Sequence, residues 1–269
     1  MKHKRLFIFG CSHTNYHWPT WADIFAYNSD FEVYQNWALS GLGNSGIFYQ
    51  LMEAHSKNQF GSDDLVILMW TFLAREDRYY KDKWQHGGSI WQNSFYDADF
   101  IKKYYCERGA TITELAHIQA AKIALDSWNC SYRILSSNNI FGGLDSYDKS
   151  QYWRENSKFF NALINNEDVS DYDIENIDVI KNYYEVFKDL EHPAFLEYVE
   201  KKWPIKPYTL KYKDNHLPPK VHLAYLPQIF KDIKIKEKTI QWVEFWHQDA
   251  ISRPNKTETT WQQNLPNRF

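Results

Sequence analysis

Apolar positions along this chain fall into two kinds of run. Leu6-Phe7-Ile8-Phe9 and the stretch from Leu65 to Trp70 are continuous, as in strands buried on both faces of a parallel sheet. The spacing predicts strands over 5–10 and 63–70, a shorter one over 132–136, and an alternating one over 31–38. Between them the period lengthens. Ile47, Phe48, Leu51 and Met52 mark a helix over 47–56, and Ile112, Leu115, Ile118, Ala121, Ile123 and Leu125 mark a longer one over 110–129. Pro19 to Phe25 reads as a helix with proline in its first turn, and Lys220 to Phe230 as a late helix. Strand–helix alternation of this kind implies an α/β fold, a parallel sheet with right-handed crossovers.

Two stretches break the alternation. Thr71 to Tyr105 is aromatic and charged with little period, which suggests an insert over a functional site. Tyr147 to Trp203 has the same character, with helical spacing over 174–190 and 193–203, and reads as a helical insertion. The chain becomes polar from about Ser252. One domain over 1–269 is expected, since 269 residues at 43% hydrophobic content suffice for a single large core.

Charge and cysteine usage narrow the function. The formal net charge is −3 and no basic stripe occurs, which argues against nucleic acid as a partner. The basic start, Met1 to Arg5, precedes an apolar run too short for a signal peptide, and no run has the length of a membrane span. A cytoplasmic protein with no membrane partner is the expectation. Cys11, Cys106 and Cys130 are widely spaced and form no zinc pattern, so neither a metal nor a cofactor is expected. The 18% aromatic content, with 12 Trp and 19 Tyr, supplies core and also platforms for sugar rings, for which Trp18, Trp70 and Trp84 are candidates.

Gly10 ends the first apolar run, and Cys11-Ser12-His13-Thr14 follows. Ligands of open α/β sheets bind at the carboxyl ends of strands, so Ser12 is a candidate nucleophile. A serine needs an adjacent base, an orienting carboxylate and donors for the oxyanion. Asp214 and His216 in a late loop offer the carboxylate and the base, and His222 offers a second base. His13 and Arg75 are candidates for the pocket lining. A competing pattern is Gly41-Leu42-Gly43-Asn44-Ser45-Gly46, which fits the GxGxxG of nucleotide-binding loops but follows the second strand rather than the first.

The set Gly10-Cys11-Ser12, Asn36 with Ser40-Gly41, and Asp214-x-His216-Leu217-Pro218 resembles the SGNH/GDSL hydrolase superfamily. The resemblance covers roughly 5–75, 110–137 and 205–230. It implies a flavodoxin-like three-layer α/β/α fold and a serine esterase without cofactor. Ser12 would be the nucleophile, His216 the base and Asp214 its partner. The Ser12 and Gly41 N–H groups would be oxyanion donors. The chain departs from the family in three places: Cys11 stands where aspartate is usual, one residue rather than two separates Asp214 from His216, and Phe72 occupies the position of an asparagine donor. Asn44 is the preferred replacement for that donor, and Arg75 the alternative. The expected substrate is a small-molecule or glycan ester, with an O-acetylated carbohydrate the leading case. An acyltransferase with the same residues and a non-catalytic carbohydrate-binding module are the alternatives.

Overall fold

The computed structural model describes residues 3–73, 75–80, 82–90, 96–105, 107–138, 194–202, 216–252 and 265. Its centre is a four-stranded sheet, built from β1 (Arg5–Phe9), β2 (Val33–Asn36), β3 (Asp64–Trp70) and β6 (Ser131–Ser136), in the order β2-β1-β3-β6. All neighbours are parallel. The register of the two central strands sets Arg5 opposite Asp64, and the guanidinium grips that carboxylate with two bonds of 2.6 Å.

Successive side chains of a strand point to opposite faces. Leu6, Ile8, Leu65, Ile67 and Met69 therefore enter one apolar cluster, while Phe7, Phe9, Val66, Leu68 and Trp70 enter another. The first cluster is completed by α1 (Trp21–Asn28), α5 (Phe195–Lys202), α6 (Pro219–Ile229) and α7 (Glu237–Ser252). The second is completed by α2 (Asn44–Asn58) and α4 (Glu107–Ser127). Burial on both faces explains why β1 and β3 read as unbroken apolar runs.

The remaining elements are a short helix α3 (Ala98–Tyr104) and an antiparallel hairpin of β4 (Arg75–Tyr80) and β5 (Lys83–Ser89). The hairpin occupies much of the stretch expected to be an insert. Pro19 lies outside α1 rather than in its first turn. Thr20 is the N-cap, and Asp23 reaches back to the Thr20 N–H at 3.0 Å. Of the stretch over 147–203 only 194–202 is described, so the helix expected over 174–190 lies outside the described residues. Within 194–202, Phe195 and Val199 are fully buried, and the Leu196 N–H donates to the Ser137 carbonyl just past β6. This part of the insertion belongs to the core. The polar tail is described only at Leu265, which is buried in the first cluster.

No helix among the described residues is long and apolar enough to cross a membrane.

Candidate active site

Ser12 lies just past the carboxyl end of β1, a central strand. The Cys11 carbonyl accepts from the Thr14 and Asn15 N–H groups at 2.9 and 3.1 Å, winding residues 11–15 into a single turn. Gly10 is required here by close approach, because a Cβ would stand 2.8 Å from the Thr14 Cβ. The Leu39 N–H donates to the Gly10 carbonyl at 3.2 Å, so the loop after β2 runs beside the Ser12 loop. Gly41 follows with φ +84, a left-handed conformation suited to glycine. Neither the Ser12 nor the Gly41 N–H donates to another described residue.

His216 reaches this loop from the far end of the chain. Tyr16 stacks on its ring at 3.8 Å between centroids, and His13 lies 5.6 Å away. The Trp18 indole N–H donates to the Leu217 carbonyl at 2.7 Å. Tyr16 and Trp18 thus fasten the 216–217 segment to the Ser12 loop. Sequence reasoning missed both anchors, since nothing local distinguishes these aromatics from core packing. Ser12 makes no hydrogen bond to His216 in this structure. Asp214 lies outside the described residues.

The other two histidines are internal. His13 is buried and packs on Phe195 at 5.3 Å, which in turn stacks on His222 at 4.7 Å. Burial, with the His216, His222 and Arg75 charges secondary, holds His13 well below the usual histidine range. Burial likewise pushes His222 down to about 3. His222 is therefore no reserve base at neutral pH, contrary to its sequence-based candidacy.

Asn44 is also not the donor it was expected to be. Its side chain is fully buried, accepts from the Thr71 N–H at 2.8 Å and donates to the Thr71 carbonyl at 3.1 Å. It ties the start of α2 to the end of β3. Arg75 was the alternative. Its guanidinium lies 5.3 Å from the centroid of Phe72, the residue at the missing-asparagine position, and donates to the Leu42 carbonyl at 2.9 Å.

The glycine-rich loop has a different use from the one its pattern suggested. The Asp77 carboxylate accepts from the Gly43 N–H at 3.0 Å, the Gly46 N–H at 2.8 Å and the Ser45 hydroxyl at 2.9 Å. A Cβ at Gly43 or Gly46 would lie 2.8 Å from Asp77 Oδ2. The glycines admit a carboxylate from the hairpin to cap α2. A helix N-terminus favours an anion, and here the protein supplies its own, which argues against a nucleotide phosphate at this loop. Asp77→Ala is expected to lower stability by about 3 kcal/mol, by orphaning three donors at a helix start; urea denaturation at pH 7 measures it. Asp77→Asn should retain most of the difference.

Of the expected sugar platforms, Trp70 is fully buried, Trp18 is nearly so, and Trp84 stacks on Tyr49 at 4.9 Å. The Ser12 loop instead borders a cleft of about 230 Å³, lined by Asn15, Gln35, Asn36, Trp37 and Gln50 among others. None of its described lining residues is charged. Among the described residues no group of three or more His, Cys, Asp or Glu is placed to hold a metal ion.

No family model, curated protein or solved structure matches the chain.

Proposed function

We propose that the chain is a serine esterase of SGNH type that removes O-acetyl or other short acyl groups from a carbohydrate. The observation that carries this reading is the fastening of His216 to the Ser12 loop at the carboxyl end of β1. The strand order β2-β1-β3-β6 supports a flavodoxin-like three-layer arrangement, in which ligands bind at the switch point between the first and third strands. In the proposed reaction Ser12 Oγ attacks the ester carbonyl carbon as its proton passes to His216. The Ser12 and Gly41 N–H groups and Arg75 take the oxyanion. Collapse expels the sugar alcohol, which receives the proton back from His216. Water, deprotonated by His216, then releases the acyl group as its carboxylate and restores Ser12. Asp214 would orient His216. Neutral His13 lets His216 carry the proton without a second positive charge beside it.

The substrate class rests on the cleft that Asn15, at the end of the Ser12 loop, borders. Uncharged amides with an indole suit the hydroxyls and apolar faces of a neutral sugar. An acyltransferase would use the same residues and differ in excluding water from the acyl-enzyme. A second reading, a non-catalytic sugar-binding module, is favoured by Phe72 at the donor position and by the absent Ser12–His216 bond, although catalytic hydrogen bonds often tighten only with substrate.

A fluorophosphonate probe separates the readings. The esterase is expected to be labelled stoichiometrically, with the adduct on the peptide containing Ser12 by mass spectrometry. An unlabelled folded protein, or an adduct elsewhere, would refute it.

A further inference from the structure

The β4–β5 hairpin docks on the loop after β2 through three successive residues of that loop. Asp77 accepts from the Gly43 N–H, and Arg75 donates to the Leu42 carbonyl. His86 meets the residue before them, Gly41. It stands opposite Asp77 in the hairpin register, so the two side chains leave the same face. The His86 Nδ1 lies 3.4 Å from the place a Gly41 Cβ would take, and the His86 carbonyl oxygen 3.6 Å from it. The Gly88 nitrogen follows at 3.9 Å, so β5 passes across Gly41.

The contacts at Leu42 and Gly43 are hydrogen bonds, and the one at Gly41 is not. The His86 imidazole is exposed and hydrogen-bonds to no described residue. The Gly41 N–H donates to none either. An unused backbone donor and an unused imidazole therefore meet at one spot. That spot adjoins the Ser12 loop, because the Leu39 N–H is bonded to the Gly10 carbonyl. Asp77 spends its carboxylate at the start of α2, while Arg75 brings positive charge to the neighbouring Leu42.

The spacing suits one shared acceptor. A backbone nitrogen and the Cβ of its own residue are roughly 2.5 Å apart. His86 Nδ1 thus stands no more than about 6 Å from the Gly41 nitrogen. An oxygen accepting from both at about 2.9 Å spans such a gap.

We propose that His86 is a further catalytic residue of the proposed esterase, donating an imidazole N–H to the ester carbonyl oxygen beside the Gly41 N–H. The inference rests on the reading of Ser12 as nucleophile. The bond strengthens as Ser12 attacks and negative charge gathers on the oxygen, and it weakens when the intermediate collapses. No proton is transferred at His86, and an imidazole carries an N–H in either charge state. A contact that is strongest in the transition state acts on rate rather than on substrate binding.

Turnover of p-nitrophenyl acetate by His86→Ala is expected to fall about 100-fold, the usual cost of one oxyanion donor. kcat and kcat/KM should fall alike. His86→Asn sets an amide N–H near the position of Nδ1 and should recover about tenfold over His86→Ala. A loss of less than about threefold in His86→Ala, an equal loss in His86→Asn, or a change in KM alone would each overturn the proposal. Fluorophosphonate labelling of the unaltered protein is read alongside. A label on Ser12 with normal turnover by His86→Ala overturns the role of His86 alone, whereas no label on Ser12 overturns the esterase and this inference with it.

Discussion

Ser12→Ala is expected to reduce p-nitrophenyl acetate turnover by about 10⁴-fold or more, with the protein still folded. In the proposed reaction the hydroxyl is the atom that becomes acylated, and removing the nucleophile of a serine hydrolase leaves only oxyanion stabilisation and binding, with a loss of up to about 10⁶ in one well-studied case. His216→Ala should fall nearly as far, and the double variant no further, since the two act as a unit. Tyr16→Ala should lose less, because it removes the ring stacked at 3.8 Å that steadies the base but not the base itself. His222→Phe should stay within tenfold of the unaltered protein, because that imidazole is 1% exposed and stays neutral. Equal turnover by the unaltered chain and the Ser12 and His216 variants would remove the case for an active serine.

Acid should separate His222→Phe from the unaltered protein by about 2 kcal/mol. In the folded chain the His222 value is pushed from 6.5 to about 3, because burial disfavours the imidazolium. Between those limits the unfolded chain binds the proton and the folded chain does not, so this group's contribution to stability is lost as pH falls below 6.5. At about 1.4 kcal/mol per unit, the loss from pH 7.5 to 5 is about 2 kcal/mol. His13 is shifted in the same direction and adds to it. Glu114 works with the opposite sign. Its folded form retains the proton, so its contribution is complete below the unfolded carboxyl value and declines as pH rises. The net curve is flattened by this opposition, and differences between variants are the informative quantity. Urea unfolding of the unaltered protein, His222→Phe and Glu114→Gln at pH 5 and 7.5 checks both signs. Parallel curves for all three would contradict the buried, neutral state of these groups.

What could be read in the chain follows from how local each cause is. β1 and β3 are unbroken apolar runs because both their faces are covered, and this alone located the parallel sheet and the serine at its edge. The helix expected over 110–129 was visible from its apolar period and runs over 107–127. α7 had the same signal, with Thr239, Val243, Trp246, His247 and Ala250 buried at helical spacing, but charged and aromatic neighbours masked it. The hairpin was illegible because it stands off the sheet. Among the described residues β4 and β5 pair only with each other, and Tyr79 and Tyr80 face solvent. The capping of α2 by Asp77 joins residues 34 and 31 positions apart, so no local rule relates them. The same distance effect misassigned Asn44, whose amide looked open until Thr71 was beside it.

The bond from Trp18 to Leu217 spans 199 positions, while β1, β2 and β3 lie within the first 70 residues. As the chain leaves the ribosome, the strand that leads to Ser12 and its neighbours emerge well before His216, the proposed base. A nascent chain can thus carry a formed hydroxyl loop with no proton acceptor. Competence would arrive only with the docking of residues 216 and 217, after the strand that carries Ser12 has formed.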